Sequence, residues 1–331
     1  QFVLGLVNQR HHARVCGRGG QRLAAAGEHL LAIDGDGALP VVVVNDGQAA
    51  VGVLIVVVGG NVDVGRQRNR LPALLAGQRL QHHDRIDGLF DLGDKDAVVD
   101  VACLANNHIM DYGEKGLNDT IKNLEANDIM YVGAGPNITE AYKPLIIDIK
   151  RKRIAIIQAS EFADEYYMPP ATKNRPGFAP ISWEHIKSAM EDAKNAGADY
   201  IICEFHYGNE YRYIPNELQS NISHKCIDEG AFMVVGHHPH VPGSIEKYKG
   251  HLIFYSLGNC VFDMQNPATK KSMIIVVTIK GNSSIVHIYP INLIGYYPHL
   301  MDVGDANAFL DELESYSNVE IQNRNGVGII K

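Results

Sequence analysis

Residues 98–300 of this 331-residue chain predict an α/β layered domain. Apolar runs of strand length alternate with segments of helical period, the pattern of strands joined by crossover helices. Four runs end in histidine or amide groups: Leu104-Ala-Asn106-Asn107-His108, Phe205-His206-Tyr207-Gly208, Gly236-His237-His238-Pro239-His240 and Tyr255-Ser-Leu-Gly-Asn259. In such domains ligands gather at the carboxyl ends of strands, so segments far apart in sequence can share one rim. A third observation sets the amino-terminal limit: residue usage changes abruptly near residue 100.

Val98–Ala105 reads as a buried strand running into the Asn-Asn-His turn, and Leu117, Ile121 and Leu124 mark one face of a helix ending near Asn127. Met130–Val132 is a short strand before the turn Gly133-Ala-Gly135-Pro136. Leu145–Ile149 pairs with Arg153–Ala159 across the basic Lys150-Arg-Lys turn. Ser182 is placed to cap a helix whose Ile186, Ala189, Met190 and Ala193 face inward and which stops at Gly197. Tyr200–Phe205 is the next strand and delivers His206. A helix over Asn216–Glu229, stopped by Gly230, leads into strand Phe232–Val235 and the histidine cluster. Leu252–Ser256, Met273–Lys280 and Ile285–Tyr289 complete the strands, the last two joined by the hairpin signal Gly281-Asn-Ser-Ser. A final helix, Ala306–Ser315, is expected to be capped by Asp305.

The first hundred residues are of another kind. They contain no Ser, Thr, Tyr, Trp or Met, and one lysine, Lys95, against nine arginines. Folded domains use hydroxyl side chains for caps and turns, so this usage is abnormal. Two readings stand side by side for residues 1–97: a misjoined, frame-shifted, wrong-strand or foreign segment, or a real Val/Gly/Arg-rich domain from a compositionally skewed source. A start at Gln1 suits a fragment. Val41–Val44 and Val51–Val58 are strand-like there, while Arg10–Gly27 and Arg70–Gln81 carry diffuse helical periodicity. The expected division is 1–97 anomalous, 98–300 the α/β domain, and 301–331 a carboxyl-terminal extension.

Charge and cysteine usage exclude several classes. The net charge of −8 lies almost wholly after residue 100, which argues against a nucleic-acid-binding surface. Cys16, Cys103, Cys203, Cys226 and Cys260 are odd in number without paired spacing; they read as small buried residues or free thiols, not a disulfide framework or zinc knuckle. The longest apolar run, Ala49–Val58, is too short to span a bilayer, and no basic segment of a signal precedes it.

His238-Pro239-His240 is the strongest local signal, because residues two apart in an extended loop project the same way and the proline stiffens it. Two imidazoles could then serve one metal or two adjacent ones. The competing reading is a solvated loop with chance histidines, in a chain that has 15. His206 ends an apolar strand, where a histidine is as often a hydrogen-bonded structural group as a ligand. Asn107 is first a turn residue, yet its amide oxygen can coordinate a cation. His108 could protonate a leaving oxygen, and Asp111 could hold that imidazole in the required tautomer. Glu210, Glu246 and Asp263 are acidic candidates near the same rim, each equally readable as a surface or loop-fixing group.

Taken together, Leu104-Ala-Asn-Asn-His-Ile-Met-Asp111-Tyr-Gly-Glu-Lys-Gly116 with Thr120, His206-Tyr-Gly-Asn-Glu210-Tyr211 with Pro215 and Gln219, Asp228-Glu-Gly230-Ala231, Val235-Gly-His-His-Pro-His-Val241, Glu246 with Tyr248 and Gly250, and Tyr255-Ser-Leu-Gly-Asn259 to Phe262-Asp263 resemble one family. It is the bacterial capsule-synthesis proteins of the CapA, or poly-γ-glutamate biosynthesis, type, a branch of the calcineurin-like metallophosphoesterase superfamily. The resemblance covers about residues 98–297 and implies a metallophosphoesterase-like layered α/β sandwich. It also implies a site for two divalent metal ions, with Mn, Fe or Zn suited to mixed nitrogen and oxygen ligands. By motif, Asn107, His206, His238 and His240 look like the metal ligands and His108 the acid, with Asp111 behind it. Two such ions about 3.5–4 Å apart clamp the reacting oxygens and activate a water.

The resemblance further implies work on a polyanionic polymer or phosphoester, capsule-synthesis membrane proteins as partners, and association with the cell envelope. Two rivals to the capsule role stay open: a phosphoesterase acting on another substrate, and a non-catalytic assembly factor that keeps the fold. The chain departs from the family at its start, where a strand ending in Gly-Asp supplies a carboxylate ligand and an Asn-Leu-Glu segment follows. Gly35-Asp36 and Gly93-Asp94 are the only Gly-Asp pairs, and neither follows a proper strand. Tyr207, Phe232 and Cys260 stand where the family usually has Trp, Asp and Phe.

Overall fold

The structure is a computed structural model, and it describes residues 2–5, 53–58, 101–126, 129–149, 152–260, 266–280, 283–294 and 297–331. Val41–Val44, the two helix-like segments before residue 100, Gly35-Asp36, Gly93-Asp94, Asp263 and the turns at 150–151 and 281–282 lie outside them.

Among the described residues, two sheets pack face to face, with helices on their outer sides and the helix Val303–Ser315 adding Phe309, Leu310 and Leu313 to the core between them. The first sheet holds β1 (Phe2–Gly5), β2 (Val53–Val58), β3 (Val101–Cys103), β4 (Met130–Val132), β13 (Lys271–Lys280), β14 (Ser283–Ile294), β16 (Gln322–Arg324) and β17 (Val327–Ile330), in the order β16-β17-β14-β13-β2-β1-β3-β4, with β15 (Tyr297–Leu300) also on β14. The second holds β6 (Leu145–Ile149), β7 (Lys152–Ser160), β9 (Tyr200–His206), β10 (Met233–His237), β11 (Ile245–Tyr248) and β12 (His251–Phe254), in the order β11-β12-β10-β9-β7-β6. Within it β12, β10, β9 and β7 run parallel, so their carboxyl ends share one rim. A small pair, β5 (Ala134–Gly135) with β8 (Gly177–Phe178), lies apart.

Strand alternation decides which side chains meet between the sheets. Tyr200 and Ile202 of β9, Met233 and Val235 of β10 and Leu252 and Phe254 of β12 join Cys103, Ile275 and Ile288 of the first sheet in one core. The intervening residues Ile201, Cys203, Phe205 and Val234 face the other way, against α3 (Trp183–Asn195) and α4 (Glu217–Asp228). On α3 the buried residues are Ile186, Ala189, Met190 and Ala193, the stripe the sequence predicts. On the outer face of the first sheet, α1 (Gly113–Ala126) buries Leu117 and Leu124, each contributing roughly 1.5–3 kcal/mol.

Caps differ from expectation at two helices. The last helix, α5 (Val303–Ser315), begins three residues earlier than its periodicity suggests, and Asp302, not Asp305, accepts the capping bond, from the Asp305 N–H at 2.9 Å. Ser182 holds the cap position of α3, but its hydroxyl meets His185 Nδ1 at 3.0 Å instead of the helix backbone. Asn216 and Gln219 form a complete capping box at α4. One short helix, α2 (Ile138–Ala141), and strand β11 carry too few apolar residues to have been visible by periodicity. The long pair β13 and β14 runs from Lys271↔Asn292 to Lys280↔Ser283, as the hairpin signal requires.

Candidate metal centre

Three loops at the carboxyl rim of the two sheets bring the predicted residues together. His206 closes β9 and is fully buried, with its Nε2 2.8 Å from Asn107 Oδ1 and 3.2 Å from His238 Nδ1. Asn107 arrives from the turn after β3, 99 residues earlier, and His238 from the turn after β10. His240 sits beside them, its ring centroid 5.8 Å from that of His238, but its Nδ1 meets Asn259 Oδ1 at 2.9 Å. Asn259 is held in turn by the Thr269 carbonyl, to which its Nδ2 donates at 3.0 Å.

The His-Pro-His loop is not extended as its sequence suggests. His238 and His240 both adopt the left-handed region, at φ 100° and 62°. Non-glycine residues hold such angles only where their surroundings over-determine them, and they cluster at functional sites. Gly236, inside β10, lets the backbone of Tyr255 approach closely, because a Cβ there would lie 2.9 Å from the Tyr255 carbonyl carbon. The rings therefore face one site through backbone twist, not through the two-residue alternation of a strand.

His108 lies at the solvent edge, its Nδ1 3.0 Å from Asp111 Oδ2. Burial is the first cause that pushes all three inner histidines below their ordinary value: His206 well down with His238 as second cause, His238 to about 3, and His240 down despite the Asn259 contact. At neutral pH these rings are uncharged, the form that offers a lone pair to a cation.

Other acidic candidates are placed differently. Glu246 is committed to His224, at 3.0 and 3.1 Å, and to the Tyr255 hydroxyl, which donates to it at 2.5 Å. Glu210 favours the protonated form of His240 by its charge and bonds the Tyr211 hydroxyl, whose ring stacks on that of His240. Two contributors escaped sequence reasoning. Phe162 lays its ring 4.0 Å from that of His238 and 5.7 Å from that of His206, walling the site from the loop after β7. Buried Gln158 fixes the Asn-Asn-His turn, accepting from Ala105 N–H at 2.7 Å and donating to the Ala105 carbonyl at 3.2 Å. A lone polar residue in the apolar run Arg153–Ala159 was the available signal for Gln158; position at a strand's carboxyl end was the signal for Phe162.

Two neutral imidazoles and one amide oxygen fit a divalent cation in the kind of donor they offer. Among the described residues, no group of three or more His, Cys, Asp and Glu stands close enough to hold an ion.

Fold and site together define a class: a layered α/β protein with imidazoles gathered at the carboxyl rim of parallel strands. The chain belongs to the bacterial capsule synthesis protein PGA_cap family, whose model matches residues 94–264 and so spans the whole rim. It is similar to the capsule biosynthesis protein CapA of Bacillus anthracis, 36% identical over 204 residues, which are 60% of this chain and 49% of that protein. It is equally similar to the PGA biosynthesis protein CapA of Bacillus subtilis, 36% identical over 191 residues, 57% of this chain and 50% of that one. The chain thus spans about half the length of the curated relatives it matches. Among solved structures it is similar to the NAD nucleotidase of Haemophilus influenzae, 13% identical with a TM-score of 0.38, over 70% of this chain and 49% of that one.

Proposed function

We propose that this chain acts in bacterial capsule biosynthesis, in making or exporting poly-γ-glutamate, and that its rim is a divalent-metal centre of hydrolase type. The observation that carries the reading is the meeting of Asn107, His206 and His238 from three loops, inside the span that matches the capsule-synthesis family. Asn107, His206 and His238 would hold the cation, with His240 beside them for a second. Mn, Fe or Zn suits these donors. When bound, such an ion polarises a substrate oxygen and acidifies a coordinated water.

The chain's own residues do the rest. Phe162 covers the His206 and His238 rings on one side and keeps bulk water off them. His108, fixed by Asp111 at the solvent edge, stands where it can give its proton to a leaving oxygen. A polyanionic polymer or a phosphoester is negatively charged, and a chain of net charge −8 needs a local cation to hold either. Partnership with capsule-synthesis membrane proteins at the cell envelope belongs to the same proposal; among the described residues no helix is long and apolar enough to cross a membrane.

Metal analysis of the purified chain, paired with hydrolysis of bis-p-nitrophenyl phosphate, tests the reading. Bound divalent metal with turnover supports the hydrolase centre. Metal without turnover favours a phosphate-holding or assembly role, and no metal under any loading removes the centre. We also propose that residues 1–97 differ in coding origin from the rest. Sequencing the gene across codons 90–105 checks this, and an unbroken frame with uniform codon usage on both sides would remove it.

A further inference from the structure

Glu204 and His237 are 1% and 2% exposed, with Glu204 Oε1 3.0 Å from His237 Nε2, inside the core between the sheets. The approach is that of an ion pair without the alignment of a hydrogen bond. Their neighbours on the same faces of β9 and β10 are the apolar Ile202, Met233 and Val235 on one side and His206 on the other. A buried carboxylate and imidazole in such surroundings are costly to desolvate, and apolar residues of like volume often stabilise a protein as well or better. Stability alone therefore does not account for the pair.

Its position does. Glu204 precedes His206 by two residues on one face of β9, and His237 immediately precedes His238 and pairs across the sheet with His206. The Cys103 thiol also reaches the Glu204 carboxylate, from the strand that runs on into Asn107. One carboxylate thus touches or belongs to all three strands that deliver the converging donors. His238 at φ 100° needs its surroundings to hold it, and its predecessor is fixed at both ends: the His237 carbonyl accepts from Tyr207 N–H at 3.1 Å, and its ring meets Glu204.

We infer that the buried Glu204–His237 pair is the clamp that holds the His238 turn against β9 and β3, which makes Glu204 a positioning residue for the metal centre. This rests on the reading of that centre given above. Groups that orient ligands from behind typically change metal affinity about 10–100-fold when removed.

The test is Mn²⁺ titration of the full chain by calorimetry, with thermal unfolding of the same samples, for wild type, Glu204→Gln, and the apolar double variant Glu204→Leu with His237→Phe. Both variants should bind Mn²⁺ about 10–100-fold more weakly. The double variant should do so with its Tm kept or raised, which a merely structural pair would not produce. A folded variant that binds Mn²⁺ as wild type does overturns the clamp, and so does loss of the fold in both variants. A wild type that binds no Mn²⁺ removes the metal centre itself and the inference with it, an outcome distinct from a binding wild type with indifferent variants.

Discussion

At the carboxyl rim, His206 faces His238 and the amide oxygen of Asn107, whereas on the helical side of the same sheet His224 of α4 faces both oxygens of Glu246. The second cluster is closed: Tyr255 donates to the same carboxylate and Tyr248 stacks on the His224 ring at 3.9 Å and 10°. An imidazole beside a carboxylate has its partner within the protein and fastens a helix to a strand. His206 and His238 instead meet each other, uncharged at neutral pH and walled by Phe162. The difference between a structural histidine and a candidate ligand is thus what its ring nitrogen faces, not how deeply it is buried.

The comparison breaks most visibly with pH. His206, His238 and His240 are held below their ordinary value, His238 at about 3, while in the unfolded chain each takes a proton near 6.5. Below about pH 6.5 the unfolded state of the metal-free protein binds more protons. Stability is then complete above that pH and falls beneath it, by about 1.4 kcal/mol per pH unit for each such histidine. Urea midpoints of EDTA-treated protein at pH 6.5 and 5.5 measure this, and His238→Ala should flatten the slope; an unchanged slope would show that the ring is not withheld from protons.

Next in size, His238→Ala should lower bound metal by about tenfold or more, and clearly more than Asp263→Ala. Equal metal content in the two variants, read by elemental analysis, would remove His238 from the ligand set. The smallest effect sharpens the other half of the comparison. Glu246→Gln should cost about 1–3 kcal/mol of stability by leaving His224 and Tyr255 poorly matched, with metal content unchanged. A fall in metal content there would mean that the two clusters are not separate.

Much of this was legible before any coordinates. The helix faces of α1 and α3 and the strands that carry His206 and His238 follow from spacing alone, since a buried stripe must repeat every 3.6 residues and a strand face every two. The cap of α5 was misplaced because Asp302 and Asp305 are both acceptable capping residues, and backbone geometry decides between them. The small pair β5 with β8 and strand β11 are too short to show a period. Glu246 looked like a rim acid, and only its packing against α4 assigns it to His224.

The sequence by itself determined the class of fold after residue 98, the family, and which of the 15 histidines are candidates for chemistry, because hydrophobic period and local motif are properties of neighbours along the chain. Tertiary structure decided what each ring nitrogen meets: that His237 turns inward to Glu204, that His240 turns to Asn259, and that His238 reaches His206 only through a left-handed backbone. Those facts depend on strand register and on torsions set by packing between groups 19 residues apart for His240 and 32 for His238, which no local pattern encodes.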